Sequence, residues 1–222
     1  MIPTYFITGT DTDCGKTYAT VALLDYLQQQ NKMGRAIKPV ASGCHYDQNN
    51  WVNADIQQLT QANGAHPAPI CQWTLRSAIS PNLAAAEEGV TITTAQIKAF
   101  YQAYPKSDLD YLLIEGAGGL LVPLNEQETW IDFLVQTRIP VILVVGMRLG
   151  CMNHALLTAY ALQKHHIPCH GWIANFLDPT MLASAENLAT LQRWLNFPLL
   201  GTIAYQGTFC SKSGIGLGDK HR

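Results

Sequence analysis

The stretch YFITGTDTDCGKTYATVALL, residues 5–24, constrains the fold more than any other part of the chain. An apolar, β-branched run ends at a glycine, a polar turn follows, and Lys16-Thr17 opens a segment with helical spacing. A strand that passes through a glycine turn into a helix begins a unit whose next parallel strand lies one crossover away.

The rest of the chain repeats that unit. Four apolar runs, at 4–8, 111–115, 141–146 and 170–174, read as strands buried on both faces, with shorter candidates at 35–40 and 199–203. Helical spacing recurs at 16–30, 54–62, 93–103, 130–137, 151–164 and 181–195. The alternation predicts an α/β fold with a mostly parallel central sheet and helices on both faces. At 222 residues, with no repeat and no linker between comparable halves, one domain over 1–206 is expected. Residues 43–50 (GCHYDQNN) and 64–81 read as loops, which in such sheets border the ligand crevice. Residues 207–222 read as a polar, mobile tail, or as one that becomes ordered on binding a ligand or another subunit.

Composition excludes several classes of function. A formal net charge of -2 gives no general attraction to nucleic acid or anionic lipid, so no nucleic-acid partner is expected. Neither a signal peptide nor a bilayer-length apolar run is present, so no membrane association and a cytoplasmic location are expected. Six cysteines are scattered without a C-x-x-C pair or a cysteine-histidine grid, which indicates neither zinc nor disulfides.

The turn after the first strand resembles a phosphate-binding loop. The usual pattern is G-x-x-x-x-G-K-[ST], and here Gly9 stands one place early because five residues separate it from Gly15. The GKT at 15–17 still joins a strand to a helix, so backbone N–H groups at the helix N-terminus suit phosphate and the Thr17 hydroxyl suits Mg²⁺. Lys38, in KPVASG, directly follows a strand candidate and would emerge beside this loop. Alone it would be a solvated strand end; beside the loop it suits charge neutralisation. Asp55 begins a helical segment, where it either favours the helix dipole or ligates metal. Glu115 closes an apolar strand before Gly116, Ala117, Gly118 and Gly119, in the region where phosphates and metal collect in open α/β folds. Thr17, Asp55, Glu115 and phosphate oxygens form a plausible Mg²⁺ shell. Cys14 reads as a small apolar filler, because no base partner is evident for it. His165 and His166 read as structural residues near a helix end.

Taken together, TGTDTDCGKT, KPVASG, EGAGGLLVPL, PVILVVGMRLGCMNHALLT, GWIANF and PLLG resemble, in order and over about nine-tenths of the chain, the dethiobiotin synthetase family, which carries this variant loop. The resemblance implies a cyclo-ligase that joins 7,8-diaminononanoate and CO₂ with ATP and Mg²⁺, through a carbamate and a carbamic-phosphoric anhydride. It implies catalytic roles for Lys16 and Lys38. Nucleotide contacts are implied from Asp13, Cys14, Gly15, Lys16, Thr17 and Tyr18, from Asp55, Glu115, Gly116, Ala117 and Gly118, and from Asn175 and Phe176. Substrate contacts are implied for Thr12, Lys38 and Ser42, and for Gly150, Cys151 and Asn153 reaching in from the neighbouring subunit of a homodimer. Two departures stand out: Asn82 replaces the histidine expected after Pro81, and Ala204 replaces a common proline. Alternative readings are another ATP-dependent ligase with the same loop and a nucleotide-switched partitioning protein. The latter would carry a further lysine at the loop's start, where Thr8 stands.

Overall fold

Strand β1 (Thr4–Gly9) runs into helix α1 (Lys16–Gln29) and then β2 (Gly34–Ile37), β3 (Val40–Ala41), β4 (His45–Asp47) and β5 (Asn50–Val52). Next come α2 (Ala54–Ala62), β6 (Trp73–Thr74), α3 (Pro81–Glu87), α4 (Thr94–Ala103), β7 (Tyr111–Gly119) and α5 (Trp130–Thr137). The chain closes with β8 (Val141–Met147), α6 (Cys151–Lys164), β9 (Cys169–Phe176), α7 (Ser184–Trp194), β10 (Leu199–Ile203) and β11 (Phe209–Ser211). This computed structural model describes residues 2–47, 49–64, 66–212 and 217.

The central sheet has the order β11-β10-β9-β8-β1-β7-β2. Every pairing is parallel except β10 with β11. Strand β1 lies between β7 and β8, so successive crossovers leave it in opposite directions and open a crevice at its carboxyl end. The apolar runs are continuous because both faces are covered. Along β8, Ile142 and Val144 pack into one cluster with Phe6 and Phe133, while Leu143, Val145 and Met147 pack into another with Ala155, Trp172 and Leu191. That division follows the period-two alternation of side chains along a strand. Each fully buried leucine or isoleucine contributes about 2 kcal/mol of transfer free energy.

All six expected strands and all six expected helices are present. Differences arise where local chemistry outweighs pattern. Helix α7 starts at Ser184 rather than 181, after Ala183 in a left-handed conformation (φ 51). The expected loop at 43–50 contains β4, which pairs with β5 in an antiparallel hairpin whose Tyr46 and Trp51 rings lie 5.5 Å apart. Trp73–Thr74 forms a short strand within the expected loop 64–81. Strand β7 continues past Glu115 to Gly119, so Glu115 sits within the strand rather than at its end. Strand β11 falls inside the segment read as a tail from 207. Its backbone groups pair with β10, and Phe209 packs against the core, although the surrounding segment is polar. Residues 213–216 and 218–222 lie outside the described residues.

Candidate active site

The turn between β1 and α1 is shaped by two left-handed residues, Asp13 (φ 56) and Gly15 (φ 81). A side chain at Gly15 would meet Asn175 Nδ2 at 2.0 Å, so both its backbone angle and its surroundings favour glycine. Cys14 is buried, and its Sγ lies over Gly9, where a Cβ would approach it to 2.2 Å. This is the filler position read from the sequence. Lys16 Nζ donates to the Asp11 carbonyl at 3.0 Å, and Arg148 reaches Asp11 Oδ2 at 2.8 Å from the far side of the loop.

Strand β2 ends one residue before Lys38, and that placement carries the lysine under the loop, where it is 4% exposed. Its Nζ donates to Asp55 Oδ2 at 2.5 Å and to Glu115 Oε1 at 2.8 Å. Glu115, wholly buried in β7, also accepts from Thr17 Oγ1 at 2.7 Å and, through Oε2, from Thr20 Oγ1 at 3.0 Å. Burial alone would push the Lys38 ammonium toward neutrality. The Glu115 and Asp55 carboxylates reverse that and hold its pKa above the ordinary lysine value. For Asp55, burial would raise the pKa, but attraction to Lys38 and its hydrogen bond leave the carboxyl below its usual range. Asp55 enters through the first turn of α2, which Asn53 caps by accepting from the Ile56 N–H at 2.9 Å.

These groups open into a cleft of about 790 Å³. Thr12, Asp13, Gly15, Lys16, Thr17, Tyr18, Lys38, Ser42, Asp55, Ala117 and Gly118 line it, which joins residues from four separate parts of the sequence. Ser42 Oγ is buried without a hydrogen-bond partner among the described residues, so a donor and acceptor is available in the cleft wall. Hard oxygen donors from Thr17, Asp55 and Glu115 fit Mg²⁺, which is commonly bound through one or two carboxylates together with phosphate. Among the described residues no group of three or more His, Cys, Asp or Glu side chains is placed to hold a metal ion.

Several expected site residues lie elsewhere. Gly116 is tucked beneath the Phe6 ring, where a Cβ would come to 2.7 Å of the ring, so its small size serves core packing. Asn175 is 3% exposed and donates its amide to the Cys14 carbonyl at 3.0 Å, so that hydrogen bond braces the loop. Phe176 packs on the second core cluster. Gly150, Cys151 and Asn153 start α6 outside this cleft, with Cys151 buried and Asn153 exposed. Sequence reasoning missed Asn53, Gln58, Ile79 and Val122 in the cleft wall, and Thr20 behind Glu115. Asn53 carried a signal as a capping residue just before a helix, and Thr20 stands one turn beyond Lys16 on α1. Ile79 and Val122 carried none. Burial raises the Cys44 thiol to about 11 and those of Cys71 and Cys169 to about 12, which keeps all three protonated at neutral pH.

A family described as an AAA domain matches residues 3–210. An ATP-dependent dethiobiotin synthetase BioD from Legionella pneumophila (strain Philadelphia 1) is 49% identical over 203 residues, covering 91% of this chain and 94% of that protein. The chain belongs to the dethiobiotin synthetase family. A dethiobiotin synthetase from Aromatoleum aromaticum is 40% identical over 206 residues, covering 90% of each chain. Among solved structures, the cell division protein FtsY from Thermotoga maritima aligns with a TM-score of 0.58 at 16% identity, over 96% of this chain and 66% of that one. That likeness shows a shared fold alone. No helix among the described residues is long and apolar enough to cross a membrane.

Proposed function

We propose that the chain makes dethiobiotin from 7,8-diaminononanoate, CO₂ and ATP, releasing ADP and phosphate, as a ligase forming C–N bonds in biotin biosynthesis. The observation that carries this reading is the convergence of Lys16, Thr17, Lys38 and Asp55 on a cleft, with Glu115 buried behind Lys38 and Thr17 and the unpartnered Ser42 hydroxyl in the cleft wall. One substrate amine adds to CO₂ and loses a proton, giving a carbamate. A carbamate oxygen attacks the γ-phosphorus of ATP and ADP departs, leaving a carbamic-phosphoric anhydride. The second amine attacks the anhydride carbonyl and loses a proton, the carbonyl carbon–oxygen bond to phosphate breaks, phosphate leaves, and the ring closes.

This chain's residues supply position and charge, which are what phosphoryl transfer demands. Backbone groups from Asp13 to Tyr18 hold phosphate oxygens, and Lys16 leaves the Asp11 carbonyl to neutralise the β- and γ-phosphates. Lys38 faces the carbamate and the moving phosphoryl group. Thr12 and Ser42 bind on the substrate side. Thr17, Asp55 and Glu115 would hold Mg²⁺, whose charge offsets that of the phosphates. Ala117 and Gly118 border the nucleotide, with Gly118 left-handed (φ 65).

Gly150, Cys151 and Asn153 act on the substrate carboxylate of a second copy in a homodimer. Their position outside the cleft of their own chain supports this, as do the exposed apolar side chains Leu149, Leu157 and Tyr160 on and beside α6. Oxygen-18 labelling tests the chemistry. With ¹⁸O-enriched CO₂, released phosphate should carry one labelled oxygen and dethiobiotin should retain one in its carbonyl. Phosphate without label, formed alongside dethiobiotin, would exclude the anhydride.

A further inference from the structure

Lys38 is held more tightly than contact with a passing substrate requires. Its ammonium touches both carboxylates of the expected metal shell, and Glu115 Oε1 accepts at once from Lys38 at 2.8 Å and from Thr17 at 2.7 Å. Two carboxylates suited to a divalent cation therefore already hold a cation between them, and the third oxygen donor, the Thr17 hydroxyl, is bonded to one of the two. We propose that in the nucleotide-free protein the Lys38 ammonium occupies the divalent cation's place between Asp55 and Glu115, and that metal arriving with nucleotide takes over these carboxylates and releases Lys38 toward the substrate. This rests on the reading of Thr17, Asp55 and Glu115 as the metal's ligands.

Electrostatics requires some cation at this point. Glu115 is wholly buried and Lys38 nearly so, and two neighbouring carboxylates without a counter-charge would repel each other. An ammonium and a divalent ion cannot share the same oxygens, because their mutual repulsion is strong at contact distance and poorly screened under cover. The exchange has a route: the Asp55 side chain is 39% exposed to the cleft, whereas those of Lys38 and Glu115 are 5% and 0% exposed. Metal alone must displace a tethered cation. Nucleotide phosphates tip the balance, since they add negative charge beside the loop and give the released ammonium a new partner. Lys38 would thus be freed for chemistry only after nucleotide and metal are in place.

Calorimetric titration of MgCl₂ into nucleotide-free protein tests the exchange. Lys38→Met should bind Mg²⁺ at least about tenfold more tightly than the wild type, within the usual range of coupling between two ligands. Lys38→Met/Glu115→Gln should lose that gain. Equal or weaker binding by folded Lys38→Met overturns the proposal. If that variant does not fold, the wild type still decides the matter through its lysine-ammonium NMR signals, with Lys38 assigned by its loss in Lys38→Arg. Mg–ADP should shift the Lys38 signal and ADP with a chelator should not; a signal indifferent to Mg–ADP overturns the proposal. Neither readout uses the diamine or detects dethiobiotin, so failure of the exchange and failure of the synthetase reading are separate results.

Discussion

Lys38 illustrates how one side chain can be read three ways as its surroundings are added. From sequence it is a cation after a strand; in the fold it is a buried ammonium between Asp55 and Glu115; in the proposed reaction it meets the carbamate. Lys38→Ala should cost about 3 kcal/mol of transition-state stabilisation, or roughly two powers of ten in turnover, measured as steady-state dethiobiotin formation. The paired charges also set a pH dependence. The folded pKa of Asp55 lies below its ordinary value, so its contribution to stability is complete above the unfolded pKa and is lost as pH falls through the folded one. Lys38 is raised, so its contribution is complete below the unfolded lysine pKa and is lost only as pH rises through the folded value. The difference in Tm between the wild type and Asp55→Asn should therefore hold through neutral pH and shrink below about pH 4. A difference that widened under acid would contradict the pairing.

At the scale of elements, the glycines separate into two kinds that sequence could not distinguish. Gly15 and Gly116 both flank candidate phosphate-binding residues, yet Gly15 needs a left-handed backbone in the loop whereas Gly116 makes room for Phe6 in the core. Gly116→Ala should lower stability by about 1–3 kcal/mol in denaturant unfolding, the usual cost of overpacking, without a direct effect on the cleft. Asn175→Ala removes the amide that braces Cys14, so its main effect should be a higher KM for ATP as the loop loosens. An unchanged KM in steady-state kinetics would argue against bracing. Long apolar runs and well-capped helices were legible because their patterns repeat over many residues. The hairpin of β4 and β5 was not, since His45, Tyr46 and Asp47 are all exposed and leave no inward-facing alternation to read. Strand β11 escaped because it has only three residues, paired to β10 and anchored by Phe209 against Tyr26, too short a run to show a period.

For the whole molecule, a mostly parallel sheet was implied by the strand-helix alternation, but the order of its strands and the meeting of Lys38, Asp55 and Glu115 depend on long-range crossovers. Lys38 and Glu115 are separated by 77 positions in sequence and joined by one hydrogen bond. The resemblance to known synthetases supplied roles for those residues; the structure supplied their distances and showed Gly116 packed beneath Phe6. The proposed dimer likewise lies beyond a single chain's periodicity. Leu157→Lys, on the exposed part of α6, should shift the assembly toward monomer in sedimentation and reduce dethiobiotin formation together with it. A monomeric variant with full activity would contradict a shared site. The central claim is tested most directly by measuring phosphate and dethiobiotin together, with ATP, Mg²⁺, bicarbonate and 7,8-diaminononanoate each omitted in turn and Lys38→Ala run alongside. The account predicts that phosphate release requires the diamine, matches dethiobiotin identified by mass, and collapses in the variant. Phosphate release indifferent to the diamine, with no ring product, would contradict it.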